Sequence, residues 1–134
     1  MMPAVLFLEV NDNKTKLKTI WEVIQKHYPA ETLLIKVPNA EAAAYIDQLL
    51  WRYAEESFIP HAVVNGPSKE RIVITTKNEN LNQAQVLLNL CAEAASNAVH
   101  FKKIYELMDK TDRSKESASF SRIHAYKSMN IDVN

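Results

Sequence analysis

A chain of 134 residues with 47% apolar content can bury one hydrophobic core and is too apolar to be a disordered segment. Its 16 basic and 16 acidic side chains cancel, which removes the bulk attraction that drives direct binding to a nucleic-acid backbone. The single glycine, Gly66, excludes the GxGxxG and GxxxxGK(S/T) loops, because those loops need several glycines for backbone N–H groups to approach a phosphate.

Residues 4–10, AVLFLEV, form a short apolar run and predict a strand buried on both faces, as in a parallel sheet. Asn11, Asp12 and Asn13 supply turn and N-cap chemistry. Residues 14–28 carry Leu17, Ile20, Trp21, Ile24 and Tyr28 at helical spacing, and Pro29 stops that helix. TLLIKV, residues 32–37, predicts a second strand. Pro38 and Asn39 end it and cap a second helix over residues 40–53, with Ala43, Ile46, Leu49 and Leu50 on its buried side. FIPHAVV, residues 58–64, is a third extended segment, and Pro60 confines its start to a sheet edge or a loop because proline cannot donate to a ladder. After an Asn65–Gly66–Pro67 turn, the β-branched RIVITT of residues 71–76 predicts a fourth strand.

Residues 77–83 form a polar loop, and VLLNLC, residues 86–91, is a further apolar run. The alanine-rich residues 92–98 suit a short helical turn or a loop. FKKIYELM, residues 101–108, predicts another strand. The last helix starts within residues 109–116 and runs through Tyr126, leaving a polar tail over 128–134, extended or frayed. Strands alternating with helices imply right-handed crossovers. The expected fold is α/β: a single-domain three-layer sandwich over residues 1–134, with a mostly parallel central sheet and a Rossmann-like topology without a phosphate-binding loop.

MMPAVLFLEV lacks the basic flank of a signal peptide, with Pro3 interrupting it and Glu9 close behind. No apolar run approaches the roughly 20 residues that span a bilayer. The lone Cys91 cannot form an internal disulfide, which suits a reducing compartment. A soluble, cytoplasmic protein without a membrane partner is expected.

Chemistry is hard to write onto this sequence. Among His27, His61, His100 and His124 no two stand at the spacing of a helical metal site. Cys91 sits inside an apolar run, where burial works against a nucleophilic thiolate. Ser57 is close to His61, Glu55 and Glu56, but no GxSxG elbow surrounds it. We expect no catalytic residues, no metal and no cofactor. The alternative, a small α/β hydrolase or a degenerate nucleotide-binding enzyme, is supported only by the strand–helix alternation and by the nearness of Ser57 to His61. Residues 110–127, KTDRSKESASFSRIHAYK, could present Lys115, Arg122 and His124 or Lys127 as a basic helical face. Beside an aromatic wall such as Trp51, that face would suit an acidic peptide with an aromatic end. Taken alone, Trp51 and Phe58 read as core residues rather than as interface.

The stretch LLWRYAEESFIPH, residues 49–61, resembles the signature of the chi subunit of bacterial DNA polymerase III. The spacing from SFIPH to the NGP turn is similar to the family's, and so is the C-terminal RIHAYKSMN of residues 122–130. The resemblance covers nearly the whole chain. It implies a non-enzymatic adaptor in the clamp-loader part of the replicative polymerase, with an α/β fold, no cofactor, and contact with DNA only indirectly. It implies two partners: the psi subunit, and the acidic, Phe-ended C-terminal tail of single-stranded DNA-binding protein. By position, the tail falls to Trp51, Ser57, Arg122, His124 and Lys127, and the psi side to Phe58, Pro60 and His61. Phe120 and His124 stand where the family often carries basic residues, which implies a weaker grip on the tail.

Overall fold

The computed structural model describes residues 3–53 and 59–134, without the side chain of Tyr53; Ser57 and Phe58 lie outside the described residues. Among those described there are six strands and three α-helices: β1 (Ala4–Val10), α1 (Asn13–His27), β2 (Leu33–Lys36), α2 (Ala40–Tyr53), β3 (Ala62–Val63), β4 (Ile72–Thr75), β5 (Val86–Asn89), β6 (Lys103–Asp109) and α3 (Arg113–Ser128). All strand pairs are parallel, in the order β1-β6-β5-β2-β4-β3. The predicted α/β fold with a parallel sheet is thus the observed one. The alanine-rich segment resolves as a loop leading to a 3-10 turn, Ala98–His100.

Strand alternation divides the core in two. Leu33, Ile35, Ile72, Ile74, Val86, Leu88 and Tyr105 point to one face, where α1 brings Ile20, Val23 and Ile24 and α2 brings Ala43, Ile46, Leu49 and Leu50. Val5, Leu34, Val73, Leu87 and Ile104 point to the other face, where they meet Tyr126 of α3 together with Ala95, Ala98 and Phe101. The α1/α2 layer and the α3 layer are therefore separated by the sheet. Side chains such as Ile35, Ile74 and Leu88 are fully buried, and each contributes roughly 1.5–3 kcal/mol of transfer free energy.

All three helices begin at the carboxyl edge of the sheet, each with an Asx cap. Thr15 N–H donates to Asp12 at 2.7 Å, Ala42 N–H to Asn39 at 2.8 Å and Lys115 N–H to Asp112 at 2.8 Å. Those helix starts put three partial positive charges along one rim. The C-terminal tail is extended and paired: Asn134 N–H donates to the Val5 carbonyl at 2.8 Å and Phe7 N–H to the Asn134 carbonyl at 2.9 Å. Ile131 of that tail is buried.

Candidate functional site

The loop after β2 leads into α2 on one face, while the loop after β5 carries Ala95 and Ala98 into the core of the other. Since β2 and β5 are neighbours, the chain parts between their carboxyl ends. Open α/β sheets present a crevice at such a point. Here the crevice is about 240 Å³, with Pro38, Leu90, Leu107 and Ala118 giving apolar walls and Lys16, Asp109, Lys115 and Arg122 giving charge.

Each charged group has a distinct setting. Lys16 of α1 donates to Asp109 at the end of β6, 2.7 Å away. Burial would raise the Asp109 carboxyl, but that ammonium and donation from the Thr111 hydroxyl and N–H outweigh it and hold the group below its ordinary range. Lys115, in the first turn of α3, is exposed and makes no ion pair among the described residues. Arg122, seven residues later on the same stripe, is buried. Its Nε donates to Glu106 at 2.9 Å, its Nη2 to the Leu107 carbonyl at 2.7 Å and the Ser119 hydroxyl at 3.2 Å, and its Nη1 to the Ala92 carbonyl at 3.3 Å.

Glu106 makes this setting intelligible. It occupies a mid-strand position on β6 facing α3 and is fully buried. Asn89 donates to it at 2.8 Å, and the Tyr126 hydroxyl donates as well. Burial pushes its carboxyl up to about 7, against the pull of Tyr126, Arg122 and Asn89. The Tyr126 hydroxyl is raised too, by burial first and the Glu106 charge second. Ser119, Arg122 and Tyr126 repeat at helical spacing, so one stripe of α3 satisfies one carboxylate. The opposite stripe, Phe120, His124 and Lys127, is exposed.

A second aromatic locus lies on the other layer. Trp51 is 52% exposed near the end of α2, and its ring centroid is 4.9 Å from that of His61. His61 Nδ1 is 2.8 Å from the Ile59 carbonyl and Nε2 is 2.8 Å from Asp47 Oδ1.

The family model of the DNA polymerase III chi subunit, HolC, matches residues 2–134. The chain belongs to the chi family. No curated protein matches it closely enough to count as a relative. Chi-family membership gives the chain a replication role within the DNA polymerase III complex, as an accessory subunit. No helix among the described residues is long and apolar enough to cross a membrane.

In this chi-family chain the sequence-assigned residues fall into separate groups. Arg122 joins Lys115 at the carboxyl-edge crevice, but as a buried group tied to Glu106 rather than a free cation. His124 and Lys127 lie with Phe120 on the outer stripe of α3. Trp51 meets His61 at the far end of α2, eleven residues past Ala40 and so about 16 Å along the helix, with Pro60 half-buried nearby in sequence. The sheet stands between Trp51 and the α3 residues. His61 has a 1% exposed side chain, and both ring nitrogens face acceptors, so neither is left to act as a general base. Lys16 and Asp109 were not foreseen in the site. Their only sequence signal is that each follows a predicted strand's carboxyl end.

Proposed function

We propose that the chain is a non-catalytic adaptor that links the clamp loader, through psi, to the acidic C-terminal tail of single-stranded DNA-binding protein. The observation that carries this reading is the apolar crevice at the carboxyl edge of the sheet with the exposed Lys115 on its rim, where Lys16 is already paired with Asp109 and Arg122 with Glu106. An acidic peptide ending in phenylalanine has the matching chemistry: a ring for the apolar walls and carboxylates for the rim. The three helix starts add to the positive potential there. Lys127 and His124, on the outer stripe of the same helix, are the further residues that this reading gives to the upstream part of the tail. The psi subunit is assigned to Pro60 and His61 at the far end of α2 and, by the resemblance alone, to Phe58, which lies outside the described residues; the resemblance gives Trp51 to the tail. Two docking faces, one at the carboxyl edge of the sheet and one at the far end of α2, suit an adaptor, because one partner need not displace the other.

The test is fluorescence anisotropy with a labelled acidic peptide ending in phenylalanine. Binding should weaken as salt is raised and should fall in Lys115→Ala, which removes an exposed charge and touches no core contact. An amidated peptide lacking its terminal carboxylate should bind less well. Unaltered binding by Lys115→Ala and by the amidated peptide together would overturn the placement of the tail in this crevice.

A further inference from the structure

The crevice continues past its apolar walls. Lys16, Pro38, Leu90 and Lys115 also line a second cavity, of about 460 Å³, on the α2 side of the sheet edge. Those four residues form a waist between the two. Leu107, Ala118 and Arg122 lie on the α3 side of it, and Val37, Ala42, Tyr45 and Ile46 on the α2 side. Val37 and Ile46 are buried, so the core fixes their part of the lining. Ala42 is held by the helix cap, its N–H donating to Asn39 at 2.8 Å. Tyr45 differs from them: it is 54% exposed, and it makes no hydrogen bond or ring contact among the described residues. A lone exposed aromatic is ordinary on a protein surface. One that walls an apolar groove opening into a binding crevice offers area for a ligand to cover. Charge on this side is nearly balanced, since Lys16 is taken by Asp109 at 2.7 Å and Glu41 in the groove offsets Lys115. The groove therefore favours an uncharged side chain over a second carboxylate.

We propose that Tyr45 and the groove beside it form a second subsite of the crevice, which takes the apolar side chain of the residue immediately before the C-terminal ring of an acidic peptide. Successive side chains of an extended chain point to opposite sides. A peptide whose backbone crosses the waist with its ring on the α3 side sends the preceding side chain to the α2 side. The assignment rests on the tail reading above. It adds a sequence preference that one ring pocket and one exposed lysine do not supply, because pockets for individual side chains are what give a peptide site its specificity.

The experiment is the anisotropy assay with labelled peptides that end in Ala-Leu-Phe, Ala-Ala-Phe or Leu-Ala-Phe after the same acidic run. Ala-Leu-Phe should bind about five- to tenfold more tightly than Ala-Ala-Phe, the factor that half-burial of the extra carbons of leucine gives. Leu-Ala-Phe, whose leucine falls on the same side as the ring, should stay within about twofold of Ala-Ala-Phe. Tyr45→Ala should reduce the leucine preference to about twofold and leave the far-UV circular dichroism unchanged, because the side chain is exposed. Tyr45→Phe should keep the preference, since it deletes only an unpartnered hydroxyl. Equal binding of Ala-Leu-Phe and Ala-Ala-Phe, or a leucine preference unchanged in Tyr45→Ala, would overturn the proposal. If Lys115→Ala still weakens every peptide in that case, the crevice stands and the second subsite alone falls. No binding by any of the peptides removes the tail reading and the subsite with it.

Discussion

Arg122→Leu isolates what the buried arginine does for the fold. The substitution keeps the aliphatic stem and deletes four donated hydrogen bonds: to Glu106 at 2.9 Å, to the Leu107 carbonyl at 2.7 Å, to Ser119 at 3.2 Å and to the Ala92 carbonyl at 3.3 Å. Glu106 is left with no exposure and, among the described residues, Asn89 and Tyr126 as its donors. Removing one partner of a buried pair strands the other charge and costs about 3–5 kcal/mol. For a chain of this size each kcal/mol lowers Tm by about 3–5 °C, so a fall of roughly 10–20 °C is expected. The loss should depend on pH. The deficit is largest at about pH 8, where wild-type Glu106 is ionised against Arg122, although losing the guanidinium raises the carboxyl further and lets the variant relieve part of the cost by taking up a proton; near pH 5.5 Glu106 is protonated with or without Arg122 and the deficit shrinks, because its carboxyl already titrates at about 7 with Arg122 present. Urea titrations at the two pH values, read by far-UV circular dichroism, measure both quantities. A loss below about 1 kcal/mol at pH 8 from a native-like variant would refute the reasoning, since it would mean that Glu106 carries no charge for Arg122 to compensate.

Wild-type stability should rise as pH is lowered from about 7.5 towards 5. The Glu106 carboxyl titrates at about 7 in the fold against 4.5 as its reference, so the folded state binds the extra proton across that window, a contribution of up to about 3 kcal/mol. Asp109 and Glu31, both held low, withdraw stability only at and below the ordinary carboxylate range, and Glu106→Gln should flatten the slope above it. Ser119→Ala should cost about 1–3 kcal/mol by denaturant titration, because the hydroxyl accepts from the buried Asp109 N–H at 3.0 Å and no water can replace it at zero exposure. In a double-mutant cycle on peptide affinity, Trp51→Ala and Lys115→Ala should be additive within about 0.5 kcal/mol; a larger coupling would mean that one peptide engages both the crevice and the far end of α2.

Most of the fold was legible because each element has a period and a stop. RIVITT has the composition of a strand buried on both faces and β4 is one, and the helix ended by Pro29 shows its core stripe as Ile20, Val23 and Ile24; AVLFLEV has the same composition but forms an edge strand with Ala4 and Glu9 exposed, because its place in the strand order was not legible. Strand order was not legible: β6 lies beside β1 through a register of seven residues that belong to opposite ends of the chain. The crevice inherits that difficulty, since Lys16, Pro38, Leu90 and Lys115 converge only once the strand order is known. Lys115 and Arg122 do share a stripe of α3, but Arg122 is buried against Glu106, so the two form no exposed basic face, and charge alone could not separate them from His124 and Lys127. The deciding signal was Glu106, a carboxylate at a position where strand alternation predicts burial, with Arg122 and Tyr126 four apart on the following helix. An acidic residue in such a strand calls for a cation, and the next helix supplied it.

The extended pairing of Asn134 along β1 protects the molecule from copies of itself. An open parallel sheet has two edges, and unpaired strand edges are templates for edge-to-edge aggregation. On one side β3 is only two residues long and follows Pro60, which cannot donate to an incoming strand. On the other side β1 is seven residues long and apolar, the more dangerous edge, and the Val5 carbonyl and Phe7 N–H there are already taken by Asn134. Four residues with almost no core of their own thus act as a guard rail, with Ile131 as the anchor that keeps it closed.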